Sequence, residues 1–226
     1  YLNNFKNKTV LDIGCNDGSL LNLYKGKGAI TVGVEPTGAA LDAKKNGHKI
    51  FPKYFDRETA SKLLKKHKKF DLIIFTNVFA HIENLKLLIK NLKSLISEET
   101  ILLIENHYFG SIIKKNQFDT FYHEHPRTYS ATSFLFIAKQ LGMNIDQIEF
   151  PKRYGGNIRV IFTKKKTNFK KSIIINKEKH FLKEIFEMQK RVNKWKQTKK
   201  NFINTLYLKH GPMIAKAFPG RAAILV

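Results

Sequence analysis

A chain of 226 residues that is 42 % hydrophobic can bury one full core and part of another, and no apolar run reaches the roughly 20 residues a membrane span needs. Cys15 is the single cysteine, which excludes a disulfide framework and a thiolate zinc site within the chain. The formal charge is +23, but 17 of the 41 basic residues follow Thr163, against 3 of the 18 acids, and they are nearly all Lys mixed with Asn and Ile. That bias reads as a solvated surface of a compositionally skewed chain more than as a nucleic-acid arm, and a basic rim can also steer an anionic small molecule. No leader peptide precedes the first apolar strand, so a soluble, cytoplasmic protein is expected, cut from a longer one because the chain lacks an initial Met and stops in an apolar run.

In chain order, the apolar run at 9–13 predicts a buried parallel strand. Gly14 and Gly18 predict a tight turn with close backbone approach, and 19–25 the helix that leaves it. A second strand over 29–34 ends in Glu35, about 20 residues past the glycines, where an acid accepts hydrogen bonds from both hydroxyls of a ribose. The ligand is then an adenosine, and NAD or S-adenosylmethionine would each use this arrangement. Two details favour the second. Asp12, read as lying inside the glycine turn, would repel a pyrophosphate but suits a cationic amino-acid and sulfonium group, and Asn16 replaces the middle glycine of the dinucleotide pattern. The expected cofactor residues are Asp12, Gly14, Asn16, Gly18, Glu35 and Asn77. The run D-x-G-C-N-D-G, with V-G-V-E-P downstream, resembles the binding motif of class I methyltransferases.

Helical patterns at 37–46 and 57–67 separate the second strand from a short strand at 48–51 and an apolar run at 71–76. A helix over 84–96, a strand over 100–105, a long loop, and a helix over 131–141 closed by Gly142 follow. Two strands, 144–150 and 157–163, end the pattern. This is an α/β fold, a doubly wound sheet finishing in a hairpin, and its order matches the seven-stranded, Rossmann-like methyltransferase sheet. The expected division is a cofactor-binding domain over 1–163 and, over 164–226, a helical connector and the start of a C-terminal α/β domain. In the connector, helix is predicted over 168–208. Its stripe of Phe181, Leu182, Ile185, Gln189, Val192 and Trp195 is expected to pack on a neighbouring domain. Residues 212–223 read as a strand, a glycine turn and a helix start.

Ligands of such sheets sit at the carboxyl ends of the strands. There the segment 76–84, TNVFAHIEN, lacks the Asn/Asp-Pro-Pro-aromatic turn of enzymes that methylate base amino groups and instead offers Asn77 and His81. His81 reads equally well as a helix-terminal or core histidine. The loop 117–130, QFDTFYHEHPRTYS, puts Tyr122, His123, Glu124 and His125 in consecutive positions. If extended, it points His123 and His125 one way and Tyr122 and Glu124 the other. Besides a catalytic cluster, a solvated polar loop or a metal set including His107 is open, the metal less favoured because no HExxH spacing is present.

Taken together, DIGCNDG, N-V-F-A-H, F-D-x-x-Y-H-E-H-x-x-Y-S and G-G-x-x-R resemble the nucleotide-sugar C-methyltransferases of deoxysugar biosynthesis, which methylate C3 of a 4-keto sugar. The resemblance extends to the tail, where AKAFPGRAA is similar to a turn of that family's C-terminal domain, although Lys216 and Phe218 stand where the family has Gly and Ala. Pro126 and Arg127 also depart from the family pattern, and the family's cysteine-rich zinc domain has no counterpart in this sequence. The resemblance implies S-adenosylmethionine as cofactor, no metal, a nucleotide-linked keto sugar as partner, and His125 as the base that makes the enolate. A general base of this kind contributes roughly 100- to 10,000-fold. Tyr122 would donate to the enolate oxygen, and Glu124 would orient a histidine or bind a sugar hydroxyl. The rival readings are an RNA or other small-molecule methyltransferase and a non-catalytic partner with the same fold. A cytosine C5 enzyme is disfavoured because it needs a nucleophilic cysteine, and Cys15 sits in the cofactor turn.

Overall fold

The computed structural model describes residues 4–214. Its elements are β1 (Thr9–Ile13), α1 (Ser19–Lys25), β2 (Ile30–Val34), α2 (Ala40–Lys45), β3 (Lys49–Phe51), α3 (Arg57–Lys66), β4 (Leu72–Thr76), α4 (Leu85–Leu95), β5 (Ile101–His107), α5 (Phe109–Lys115), α6 (Ala131–Leu141), β6 (Asn144–Glu149), β7 (Asn157–Thr163), α7 (Lys171–Glu178) and α8 (Phe181–His210). Seven strands form one sheet in the order β3-β2-β1-β4-β5-β7-β6, with β7 antiparallel to both of its neighbours. The four parallel pairings bury strands on both faces, which is why 9–13 and 71–76 read as unbroken apolar runs. Leu11, Ile13, Ile73 and Phe75 go to one core, and Val10, Leu72 and Ile74 to a smaller one on the opposite face. No described helix is long and apolar enough to cross a membrane.

The doubly wound sheet with its closing hairpin is the one expected, and three local differences have physical causes. The helix predicted over 37–46 starts at Ala40, because Glu35 accepts the Thr37 amide and Thr37 the Ala39 amide, which holds that segment in turns. Strand β5 runs on to His107, and α5 fills what looked like loop. The helix predicted over 168–208 is two helices, interrupted at Lys179 and His180.

The apolar stripe of α8 also finds its partner nearer than expected. Phe181, Ile185, Met188 and Val192 pack on Ile112 and Ile113 of α5, and the Trp195 ring lies 5.3 Å from that of Phe118. The stripe therefore covers the same body that carries the sheet, while Leu182 is left 73 % exposed. The strand, turn and helix expected over 212–223 fall almost wholly outside the described residues.

The tail is fixed by one residue that sequence reading passed over. Glu178, buried at the end of α7, accepts the Ala131 and Thr132 amides at 2.8 and 2.7 Å and the Tyr108 hydroxyl at 3.0 Å. A carboxylate there answers the unpaired amides and positive end of α6. Glu178→Ala should lower stability by about 2 to 4 kcal/mol, and Glu178→Gln by less because it keeps a neutral acceptor. Urea unfolding of the two variants beside the parent checks this.

Candidate active site

Two cavities open at the carboxyl ends of the strands. The first, about 660 Å³, is walled by Gly14, Glu35, Tyr54, Phe55, Val78 and His81, among others. Gly14 has φ +77°, and a Cβ there would lie 2.3 Å from a Val78 methyl, so the turn admits only glycine. Glu35 is held on the wall by the Asn16 amide at 3.0 Å and the Thr37 amide at 2.9 Å, one to each carboxylate oxygen. Each oxygen retains a second acceptor direction. Asn16, at φ 51°, thus acts through its backbone, in the left-handed conformation that asparagine tolerates better than most residues.

Asp12 is not in the turn, contrary to expectation. It is the fourth residue of β1, buried behind the turn and not on the cavity wall. Burial, with Glu35 nearby, pushes its carboxyl up to about 7. Gly18 does not reach the cavity either. It starts α1 at φ +81°, where a Cβ would lie 2.6 Å from His48 Cδ2, so its role is to let α1 approach the His48 ring. Burial first, then Asp12 and Glu35, push the Cys15 thiol up to about 12, which leaves it without thiolate character at neutral pH.

The second cavity, about 270 Å³, gathers Asn77, His81, Tyr122 and His125. His81 belongs to the walls of both. The loop is not extended. The His125 amide donates to the Tyr122 carbonyl at 2.9 Å, and this turn brings both rings to one side, 4.6 Å apart. His125 also meets the His81 ring at 4.6 Å and the His107 ring at 5.6 Å. The His123 side chain, 84 % exposed, points away. Glu124 is not on the wall; one of its oxygens accepts the Tyr122 hydroxyl at 3.0 Å and the other lies 4.0 Å from His123 Nε2, so it orients the phenol and not His125. Among the described residues no three His, Cys, Asp or Glu are grouped to hold a metal ion.

His125 Nδ1 lies 3.1 Å from the Thr120 carbonyl oxygen. A carbonyl only accepts, so Nδ1 carries the hydrogen, and in the neutral ring Nε2 is the basic nitrogen. Arg127, on the same loop, donates to the carbonyl of Ile82, a residue of the first cavity's wall, at 3.0 Å.

A buried charge cluster behind Asn77 was not foreseen. Glu105, buried near the end of β5, accepts Arg153 Nε at 2.8 Å, Arg159 at 2.7 and 2.8 Å, and Asn157 Nδ2 at 2.9 Å. Burial works to raise its carboxyl, but Asn157, Arg153 and Arg159 together hold it below the usual carboxylate range. Asn77 is tied into the same knot, its amide donating to the Glu105 carbonyl at 2.8 Å and its Oδ1 accepting Asn157 Nδ2 at 3.1 Å. The only sequence signal was the arginine of G-G-x-x-R.

A seven-stranded sheet of this order, with a glycine turn after β1 and an acid after β2, defines a class I S-adenosylmethionine-dependent methyltransferase. Residues 1–148 match the model of the methyltransferase domain family, and the chain belongs to it. Two solved structures share the fold. The S-adenosylhomocysteine-bound magnesium protoporphyrin IX methyltransferase of Synechocystis PCC 6803 superposes with a TM-score of 0.55 at 17 % identity, covering 72 % of this chain and 76 % of that one. A SAM-dependent methyltransferase of Archaeoglobus fulgidus gives 0.53 at 18 %, covering 70 % and 87 %. Among curated proteins, the C-methyltransferase NovU of Streptomyces niveus is 28 % identical over 152 residues, 67 % of this chain and 36 % of NovU. A ubiquinone biosynthesis O-methyltransferase of Glaesserella parasuis is 34 % identical over 107 residues, 43 % of this chain and 44 % of that enzyme. The chain therefore spans less than half the length of these curated relatives.

The Asp12 shift has a testable sign. Folded Asp12 keeps its proton up to about 7, whereas the unfolded residue releases it near 3.8, so its contribution to stability falls as pH rises between those values. Asp12→Asn should match the parent near pH 4 and exceed it by about 2 to 4 kcal/mol above pH 8. Chemical denaturation at the two pH values reads this directly.

Proposed function

We propose that this chain is the catalytic part of a C-methyltransferase that methylates the carbon beside the ketone of a nucleotide-linked 4-keto deoxysugar by way of an enolate. The observation that carries the reading is His125, a base whose tautomer is set by Thr120 and whose ring packs on His81, the residue shared by the two cavities. Bound S-adenosylmethionine supplies a methyl group on a cationic sulfur, which keeps the bonding pair when the methyl leaves. The first cavity fits that group. Glu35 offers two fixed acceptors for the ribose hydroxyls, Tyr54, Phe55 and Val78 offer an apolar wall for the adenine, and Asp12 lies behind the turn as a carboxyl that a nearby cation would ionise.

On the acceptor side, His125 Nε2 takes the proton from the carbon next to the ketone, and the electron pair moves onto the carbonyl oxygen. Asn77 and His81 border the place where that carbon must meet the methyl. With its hydroxyl hydrogen committed to Glu124, Tyr122 packs against the base, and it donates to the enolate only if that bond is exchanged. Arg127 and the absence of a carboxylate among the described wall residues suit an anionic acceptor. The similarity to NovU supports carbon as the methylated atom, while the O-methyltransferase relative keeps a hydroxyl acceptor, for which a phenol serves as probe, as the alternative, with His125 as its base.

The separating experiment uses heavy water. Given a 4-keto nucleotide sugar, the full-length protein should exchange the hydrogen beside the ketone even without cofactor. His125→Asn should abolish both exchange and methyl transfer and leave cofactor affinity intact. Persistent exchange in that variant, or methylation of a phenol with no exchange, overturns the reading. Separately, Glu35→Ala should weaken S-adenosylmethionine binding by about 1 to 3 kcal/mol by calorimetry.

A further inference from the structure

The side chains of three wall residues of the acceptor cavity take no part in the chemistry above. Asn106, Thr120 and Tyr129 are 1 %, 1 % and 3 % exposed. Yet both polar atoms of the Asn106 carboxamide and the hydroxyls of Thr120 and Tyr129 have no hydrogen-bond partner among the described residues. Buried polar atoms are nearly always paired, and leaving one unmatched costs free energy. Four such atoms on one small wall serve the fold badly, since Leu, Val and Phe would fill the same space without that cost. The surroundings also deny them a protein partner by simple rotation. The Tyr129 ring is packed between those of Phe79 and Phe134, each with its centroid 5.2 Å away, which fixes where its hydroxyl lies, and the Thr120 backbone is held by its carbonyl's bond to His125.

We infer that Asn106, Thr120 and Tyr129 read the oxygen pattern of the acceptor, and that this acceptor is a polyhydroxylated carbonyl compound with a hydroxyl next to its ketone. The carboxamide offers a donor and an acceptor on one rigid plane. A ligand that satisfies both presents an acceptor oxygen beside a donor, as a ketone flanked by a hydroxyl does. The Thr120 and Tyr129 hydroxyls each donate and accept, and they take further hydroxyls of the same ligand. Asn106 Nδ2 then donates to the oxygen that gains charge when His125 removes the proton, a place the Tyr122 hydroxyl leaves open by bonding Glu124. A flat phenolic acceptor with one hydroxyl would leave most of these atoms unmatched. This inference rests on the keto-sugar reading and adds to it the residues that select the acceptor.

The test uses near-isosteric variants of the full-length protein, Asn106→Leu, Thr120→Val and Tyr129→Phe, with a nucleoside-diphosphate-linked 4-keto-6-deoxyhexose as probe. Each should lose roughly 10- to 100-fold in kcat/KM. Cofactor affinity should be unchanged, and the melting temperature equal to or above that of the parent, because an unmatched buried group has been removed. A structural role would instead lower the melting temperature. In Asn106→Leu the parent's preference for the probe over its analogue lacking the hydroxyl beside the ketone should also disappear. Parental kcat/KM in Asn106→Leu, or activity lost together with the melting temperature, overturns the inference alone. A parent that neither methylates the probe nor exchanges its hydrogen overturns the keto-sugar reading, and this inference with it.

Discussion

The Glu105 carboxylate is the contact on which the surroundings of the second cavity depend. It sits near the end of β5 and draws Arg153, Arg159 and Asn157 onto one buried point, so the reversed strand β7 and the turn that leads into it are held against β5 by charge as well as by the backbone ladder. Burying one carboxylate alone would be costly, but two guanidinium groups and an amide saturate its oxygens. The geometry then propagates. Asn77, at φ 55° just past β4, is pinned to the same point through Asn157, which sets the exit of the segment that carries Val78 and His81. His81, which belongs to the walls of both cavities, thus follows a segment whose start is fixed by Asn157.

On the cofactor side the electrostatics run the other way. Asp12 and Glu35 are both buried, and burial, with Glu35 nearby, disfavours charge on Asp12. Two backbone amides answer Glu35, while Asp12 is left to hold its proton to about neutrality. One acid is held in place on the wall by two amides, and the other is a reserve of charge behind it.

Much of this was legible in the sequence because it is local or periodic. Parallel strands announce themselves as apolar runs, and Gly14 and Glu35 by their spacing around a strand and a helix. What escaped notice was decided by contacts far apart in the chain, or by one backbone bond. Asp12 looked like a turn residue because one-dimensional spacing does not say where a strand stops. The sides taken by Tyr122 and His125 turned on the single bond that closes their turn. The short α5, with Gly110 in its first turn, has too few apolar positions for a clear period. Glu178, the cap of a helix that begins 47 residues earlier, has no local signature at all.

The strand order carries a consequence in time. β7 lies between β5 and β6 in the sheet although it follows β6 in the chain, so β6 has no strand to pair with until β7 arrives. Every residue on the first cavity's wall precedes β5, whereas the second takes in Tyr154, and its Asn77 is held by Asn157, 80 residues away. As the chain leaves the ribosome, the first cavity can therefore be complete while the second is still an open edge. The second cavity is the last to exist.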